Sequence, residues 1–231
     1  RSKNKVEQPM IKDFDLLQRA NNDYTTIDLE HAEELAYREL IDSIRYIPLG
    51  DECGVMGNIA NIITYKGRFY IQEEQFDRVF IYDDTGRCLK KIDNKGRGPG
   101  EYLRIESIDI NTEKEELMLV DGMSDKLFFY DLDGNFKSIH SIRYFQTENT
   151  LCLRDSVVLH ISAPSQNFGN EGLYGYALVL SKGNENFLKG DRYLPLQVGY
   201  KGGGQIFKGY ERSCYHPIYS DTIYQILSDT T

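Results

Sequence analysis

From residue 59 to residue 139 apolar and polar positions alternate in short runs, each stopped by a turn signal, which is the period-two texture of antiparallel strands. Runs at 59–65 and 68–72 flank the two-residue turn Lys66-Gly67, and runs at 78–83 and 88–92 flank Asp84-Thr85-Gly86. The pattern therefore predicts a unit of four antiparallel strands. Runs at 107–110, 116–120, 126–131 and 136–139 follow in the same order, with Asp133-Gly134 at the corresponding turn. The likeness reaches single residues: Asp77-Arg78-Val79-Phe80-Ile81-Tyr82-Asp83 and Gly86 recur 48 residues on as Asp125-Lys126-Leu127-Phe128-Phe129-Tyr130-Asp131 and Gly134. A fixed period of this size marks stacked all-β units, none of which buries a core alone. The expected fold is an all-β propeller with four-stranded antiparallel blades.

Beyond residue 142 the repeat blurs. Runs at 156–162 and 174–181, the turn Lys182-Gly183-Asn184 and Phe187-Leu188 read as a degenerate third unit. Asp221-Thr222-Ile223-Tyr224-Gln225-Ile226 repeats the signature of Asp77 three periods later, in a fourth unit that reaches Thr231 without its outermost strand. The blades fall at about 45–97, 98–145, 146–198 and 199–231. Before them lies a lead-in, 1–44. Residues 1–24 read as a tail, and 30–44 as a helix with Leu29, Ala32, Leu35, Ala36, Leu40 and Ile44 at helical spacing and Asp28 at its cap. Residues 46–49 read as a short edge strand. Four blades leave bare sheet edges, so either the chain is a fragment or something covers the edge, self-association included.

The segment Gly96-Arg97-Gly98-Pro99-Gly100-Glu101-Tyr102, the preceding 80–92 and the later Asp221-Thr222-Ile223-Tyr224 together resemble the NHL-type six-bladed β-propellers, in particular the exported six-bladed propeller lipoproteins of Bacteroides and relatives. The likeness spans roughly 45–226. It implies a periplasmic or surface-exposed, lipid-anchored protein of the cell envelope, and no enzymatic activity common to the family. The chain departs from that pattern in its blade count, four against six, and in lacking the lipidated cysteine.

Composition narrows the partners. The 231 residues carry a formal net charge of −9, which repels nucleic acid and anionic lipid surfaces. No apolar run approaches the length needed to span a bilayer, so membrane contact is expected only through an N-terminal lipid anchor outside the chain. The start at Arg1 fits a chain whose leader has been removed. Cys53, Cys88, Cys152 and Cys214 show no zinc-type spacing; their even number leaves disulfides open, and Cys88, at the position of Phe136 in the second repeat, reads as a small buried hydrophobe.

Candidate sites are sparse. The glycine-rich loop 96–100 lacks the Gly-Lys-Ser/Thr ending of a phosphate cradle and reads as a tight crossing between blades. Arg97, Glu101 and Tyr102 beside it are the ligand-binding candidates. Asp83-Asp84-Thr85-Gly86 and Asp131-Leu132-Asp133-Gly134-Asn135 invite calcium, yet neither continues with the spaced acidic ligand of a calcium loop. No cofactor is expected, calcium being the open alternative. Asp77, Asp125 and Asp221 are expected to accept backbone N–H groups in their turns. His31, His140, His160 and His216 share no metal or triad spacing, and no catalytic residue is assigned. The expected function is a non-enzymatic binding or scaffold module that holds a glycan, peptide or protein partner on one face. The alternative is a metal-dependent propeller hydrolase or lyase with its site in the central channel.

Overall fold

The computed structural model describes residues 12–14, 41–142, 147–163, 167, 172–183, 185–192, 204–208, 213–217, 220 and 222–226. Apart from β1 (Lys12–Phe14), the strands fall into four antiparallel groups. The first is β2 (Ile59–Tyr65), β3 (Arg68–Glu73), β4 (Arg78–Asp83) and β5 (Cys88–Ile92). The second is β6 (Ser107–Asn111), β7 (Glu116–Asp121), β8 (Lys126–Asp131) and β9 (Phe136–Ser141). The third is β10 (Asn149–Cys152), β11 (Val157–Ile161), β12 (Tyr176–Lys182) and β13 (Glu185–Arg192), with β1 added in parallel to the outer edge of β13. The fourth, among the described residues, is β14 (Gln205–Lys208), β15 (Ser213–His216) and β16 (Tyr224–Ile226). The four sheets are the blades of a β-propeller, with the first strands β2, β6, β10 and β14 side by side in chain order.

Turn chemistry explains the pairing. Lys66 and Gly67 both take positive φ, 48° and 70°, which is the two-residue hairpin geometry that matches strand twist. The outer hairpins of the first two blades are closed by one device used twice. Asp83 Oδ1 accepts the N–H of Thr85 and of Arg87, both at 3.0 Å. Asp131 Oδ1 accepts the N–H of Asp133 at 3.0 Å and of Asn135 at 2.8 Å. Gly86 and Gly134 sit at φ 88° and 79° in these loops, where a side chain is strained. The hydroxyl of Thr85, followed by the Arg87 backbone, holds the Asp83 carboxyl down at about 2.

Each blade buries its faces against its neighbours. Tyr70, Val79 and Ile81 of the first blade meet Ile108, Ile110, Leu117, Leu119, Phe128 and Tyr130 of the second. Met118, Val120, Leu127 and Phe129 meet Val158 and Val179 of the third, and Leu159, Ile161 and Leu178 meet Tyr215 of the fourth. Each such side chain, fully buried, contributes about 1.5–3 kcal/mol. Polar pins reinforce the first seam: Arg68 Nη1 donates to Leu132 O at 2.8 Å and Asp133 Oδ1 at 2.7 Å, and Tyr70 OH donates to Leu132 O at 3.1 Å.

The other face of the first blade is covered by a non-strand segment. Ile71, Phe80 and Tyr82 pack under Cys53 and Met56, and Cys53 is disulfide-bonded to Cys88. Cys88 is therefore a cross-link and not only the small hydrophobe its repeat position predicts. The edge strand expected at 46–49 is not formed: Pro48 has no N–H to give, and the segment is tied instead by Gly50 N–H donating to Gly86 O at 2.8 Å. The helix predicted at 30–44 lies mostly outside the described residues, and its described end, 41–44, is exposed and not helical. In the lead-in, expected as a tail, Lys12–Phe14 is a strand.

His160 lies wholly inside the third blade, its Nε2 2.7 Å from Ser181 Oγ on the adjacent strand. Burial pulls its imidazole down from 6.5 to about 3, so it folds neutral.

Two measurements test this packing. Ile62 and Ile110 both lie on the first strands of their blades, yet Ile110 is 1% exposed and Ile62 is 52% exposed. Ile110→Ala is expected to cost roughly 2–5 kcal/mol and Ile62→Ala under about 1, read from urea midpoints at unchanged slope. For His160 the unfolded chain binds the extra proton between pH 6.5 and about 3, so stability is full above pH 6.5 and falls on acidification through that window. The wild type is expected to lose about 1.4 kcal/mol more per pH unit than His160→Gln between pH 6 and 5, in urea titrations that compare slopes rather than absolute stabilities.

Candidate functional site

The passage from the first blade to the second carries a dense polar network. After β5 the chain makes the glycine-rich turn and returns as 102–106 into β6. Tyr102 is 0% exposed, its ring edge-on to Phe128 at 5.9 Å. Its hydroxyl donates to Asp77 O at 2.9 Å and accepts the Asn94 N–H at 3.1 Å. Burial pushes this phenol's pKa well up. Glu101 Oε2 accepts the Gly98 N–H at 2.6 Å. A Cβ on Gly96 would stand 1.9 Å from that same Glu101 oxygen, so a side chain there would have to displace the carboxylate. The loop is a structural clasp. Tyr102 has no surface to offer a ligand, Glu101 closes its own turn, and Arg97 alone of the three candidates projects from the loop as an exposed side chain without a role in the clasp.

The clasp positions a cleft. Ala60, Gln72, Glu74 and Asp77 of the first blade, with Arg104, Ile105 and Glu106 of the connector, line a cleft of about 200 Å³. Gln72 Nε2 donates to Ile105 O at 3.0 Å. Asp77, held at φ 57° where aspartate is tolerated, accepts the Ile105 N–H on Oδ1 at 3.1 Å and pairs with Lys95 through Oδ2. The expectation that Asp77 accepts a backbone N–H holds, but the donor comes from the next blade's lead-in rather than its own turn. Asp125 shares the positive φ, at 53°, and Asp221 lies outside the described residues. Burial raises the Glu106 carboxyl, opposed by Arg104, whose Nε lies 3.4 Å away. The cleft thus presents acceptors on Glu74 and Glu106 and donors on Arg104, with its walls already hydrogen-bonded.

Sequence reasoning singled out this connector but not these residues. Arg104 and Glu106 lie two and four positions past Tyr102, and Gln72 and Glu74 come from another hairpin, so no motif joins them. The other candidates stay apart. Asp83 and Asp131 spend their oxygens on turn donors. His140 packs at a tilt against Phe129, ring centroids 4.9 Å apart, His216 Nε2 meets Ser220 O at 2.7 Å, and His31 lies outside the described residues. The Ser181–His160 pair is sealed from substrate. Among the described residues no three His, Cys, Asp or Glu side chains gather as a metal set. Toward the axis, Asp109 Oδ2 accepts the Cys152 N–H at 2.6 Å and Oδ1 pairs with Lys208, joining three blades. Burial pushes the Cys152 thiol well up, away from the reactive thiolate.

The fold has a solved counterpart. A crystal structure of a candidate exported protein from Bacteroides fragilis NCTC 9343 superposes with a TM-score of 0.68 at 18% identity, covering 81% of this chain and 53% of that one. A member of the duf4221 family from Bacteroides vulgatus ATCC 8482 gives a TM-score of 0.49 at 10% identity, covering 74% and 55%. The chain thus spans about half the length of each. No curated protein matches it in sequence. The model of the family described as "Domain of unknown function (DUF4934)" matches residues 24–231, nearly the whole chain, and the protein belongs to that family.

Proposed function

We propose that this chain is a non-enzymatic binding module of the cell envelope, which takes a polar ligand, glycan or peptide, in the cleft between its first two blades. The cleft itself carries the reading. Gln72 and Asp77 are fixed by the connector they face, and Arg104 and Glu106 by each other, so little side-chain freedom is lost when a ligand arrives. A guanidinium between carboxylates offers donors and acceptors of the kind that hydroxyl or amide groups satisfy. Such a cleft suits holding a ligand, and the His160–Ser181 pair lies buried away from it.

Export is supported by the disulfide, which suits an oxidising compartment, and by the likeness to a candidate exported protein. Lipid anchoring and a six-bladed NHL-type ring in the whole protein belong to the same proposal; the 48-residue period and the Gly96–Tyr102 motif support the ring, and the resemblance to exported propeller lipoproteins is what suggests the anchor.

Glycan and peptide arrays probed with the purified protein are expected to give a ligand whose affinity falls about tenfold or more in Arg104→Ala and in Glu106→Gln, with the melting temperature within about 2 °C of wild type. A ligand indifferent to both substitutions would move the site elsewhere, and turnover of that ligand would overturn the non-enzymatic reading.

A further inference from the structure

The segment 45–58 does more than precede β2. It occupies, against the first blade, the place that the first blade occupies against the second, and the repeat lets the two seams be compared position by position. Leu119, Phe128 and Tyr130 of the second blade are buried by the first blade; their equivalents Ile71, Phe80 and Tyr82 are buried by the segment. Leu132 O accepts a guanidinium hydrogen bond from Arg68 at 2.8 Å; its equivalent Asp84 O accepts one from Arg45, also at 2.8 Å. Gly134 leaves no room for a Cβ because Ile81 and Lys90 of the preceding blade stand 2.9 Å from where it would be. Its equivalent Gly86 is closed in the same way by Pro48 O, 2.0 Å away. The segment is a stand-in for a sheet.

It is an incomplete one. Tyr46 and Val55 are 88% and 83% exposed, none of residues 45–56 is fully buried, and Ile62 on the same face of the blade is left half bare. Asp121 accepts the Leu103 N–H at 2.7 Å, while in the equivalent buried Glu73 the oxygen Oε1 has no hydrogen-bond partner among the described residues. Its ties fall at two places: Gly50 N–H to Gly86 O and Tyr82 OH to Gly50 O at 3.2 Å near the Cys53–Cys88 bond, whose two residues are only partly buried, and Arg78 Nη2 to Val55 O at 3.3 Å and Glu74 N–H to Asn58 O at 3.0 Å where the segment runs into β2.

We propose that 45–58 is a redox-latched strap: the Cys53–Cys88 disulfide holds it over the first blade, and cleavage by a dithiol reductant releases it and uncovers Phe69, Ile71, Phe80 and Tyr82 while the blades stay folded. A reductant thiolate attacks one sulfur to form a mixed disulfide, its second thiol resolves that bond, and Cys53 and Cys88 leave as thiols carrying the two protons and two electrons given up by the dithiol, now itself a disulfide. Hydroxyl-radical footprinting of the oxidised protein, of protein reduced with dithiothreitol and then freed of reductant under argon, and of Cys53→Ser/Cys88→Ser tests the latch. Labelling of Phe80 and Tyr82 is expected to rise several-fold in the reduced protein and in the double variant, with their equivalents Phe128 and Tyr130 unchanged. Unchanged labelling of all four would show that the strap stays seated without the bond and overturn the proposal. A rise in all four would overturn it too, by showing that the bond supports the whole fold. Should the double variant fail to fold, the reduced wild type alone decides between these outcomes.

Discussion

A sheet with apolar side chains on both faces has no stable existence in water, and each of the first three blades has two such faces. The first blade offers Tyr70, Val79 and Ile81 on one side and Ile71, Phe80 and Tyr82 on the other. Covering both is the constraint from which the rest follows. It requires blades to stack, it fixes which loops can hold only glycine, and it makes a connector such as 102–106 a shared wall rather than a tether. The covering partner need not be a sheet, provided that it excludes water and meets the loop carbonyls, as the segment before β2 does.

The polar parts are subordinate to that stacking. Asp77 accepts an N–H from the neighbouring connector, Asp109 ties three inner strands, and Tyr102 spends its hydroxyl where the first blade meets the second. These groups are buried by the seams, and each is matched with a partner because an unmatched polar group there costs about 1–3 kcal/mol. Among the described residues a seam opens outward at Glu74, Arg104 and Glu106, whose polar groups line the cleft.

Where the repeat is sharp, the sequence shows the fold nearly to the residue: the strands expected at 78–83, 88–92 and 126–131 are those observed, because alternation and Asp-x-x-Gly turns are local signals. Legibility fails wherever the cause is distant. The inner strand Asn149–Cys152 was not anticipated, since its pairing with β11 and its acceptance by Asp109 owe nothing to the period. The Cys53–Cys88 link joins residues 35 positions apart whose proximity depends on the strap. The cleft draws on two hairpins, so no window along the chain contains it, and the connector motif pointed at the clasp that builds it instead.

The parallel strand Lys12–Phe14 has a consequence for how the chain matures. It pairs with Leu188, Lys189 and Gly190 and shields the otherwise open edge of β13 from edge-to-edge association. Its partner is made long after it. On a ribosome that works from the N-terminus, these residues emerge well before β13 and wait until most of the third blade exists before they find their place. A segment made before its partner thus docks late, and until it does β13 keeps an exposed edge in the nascent protein.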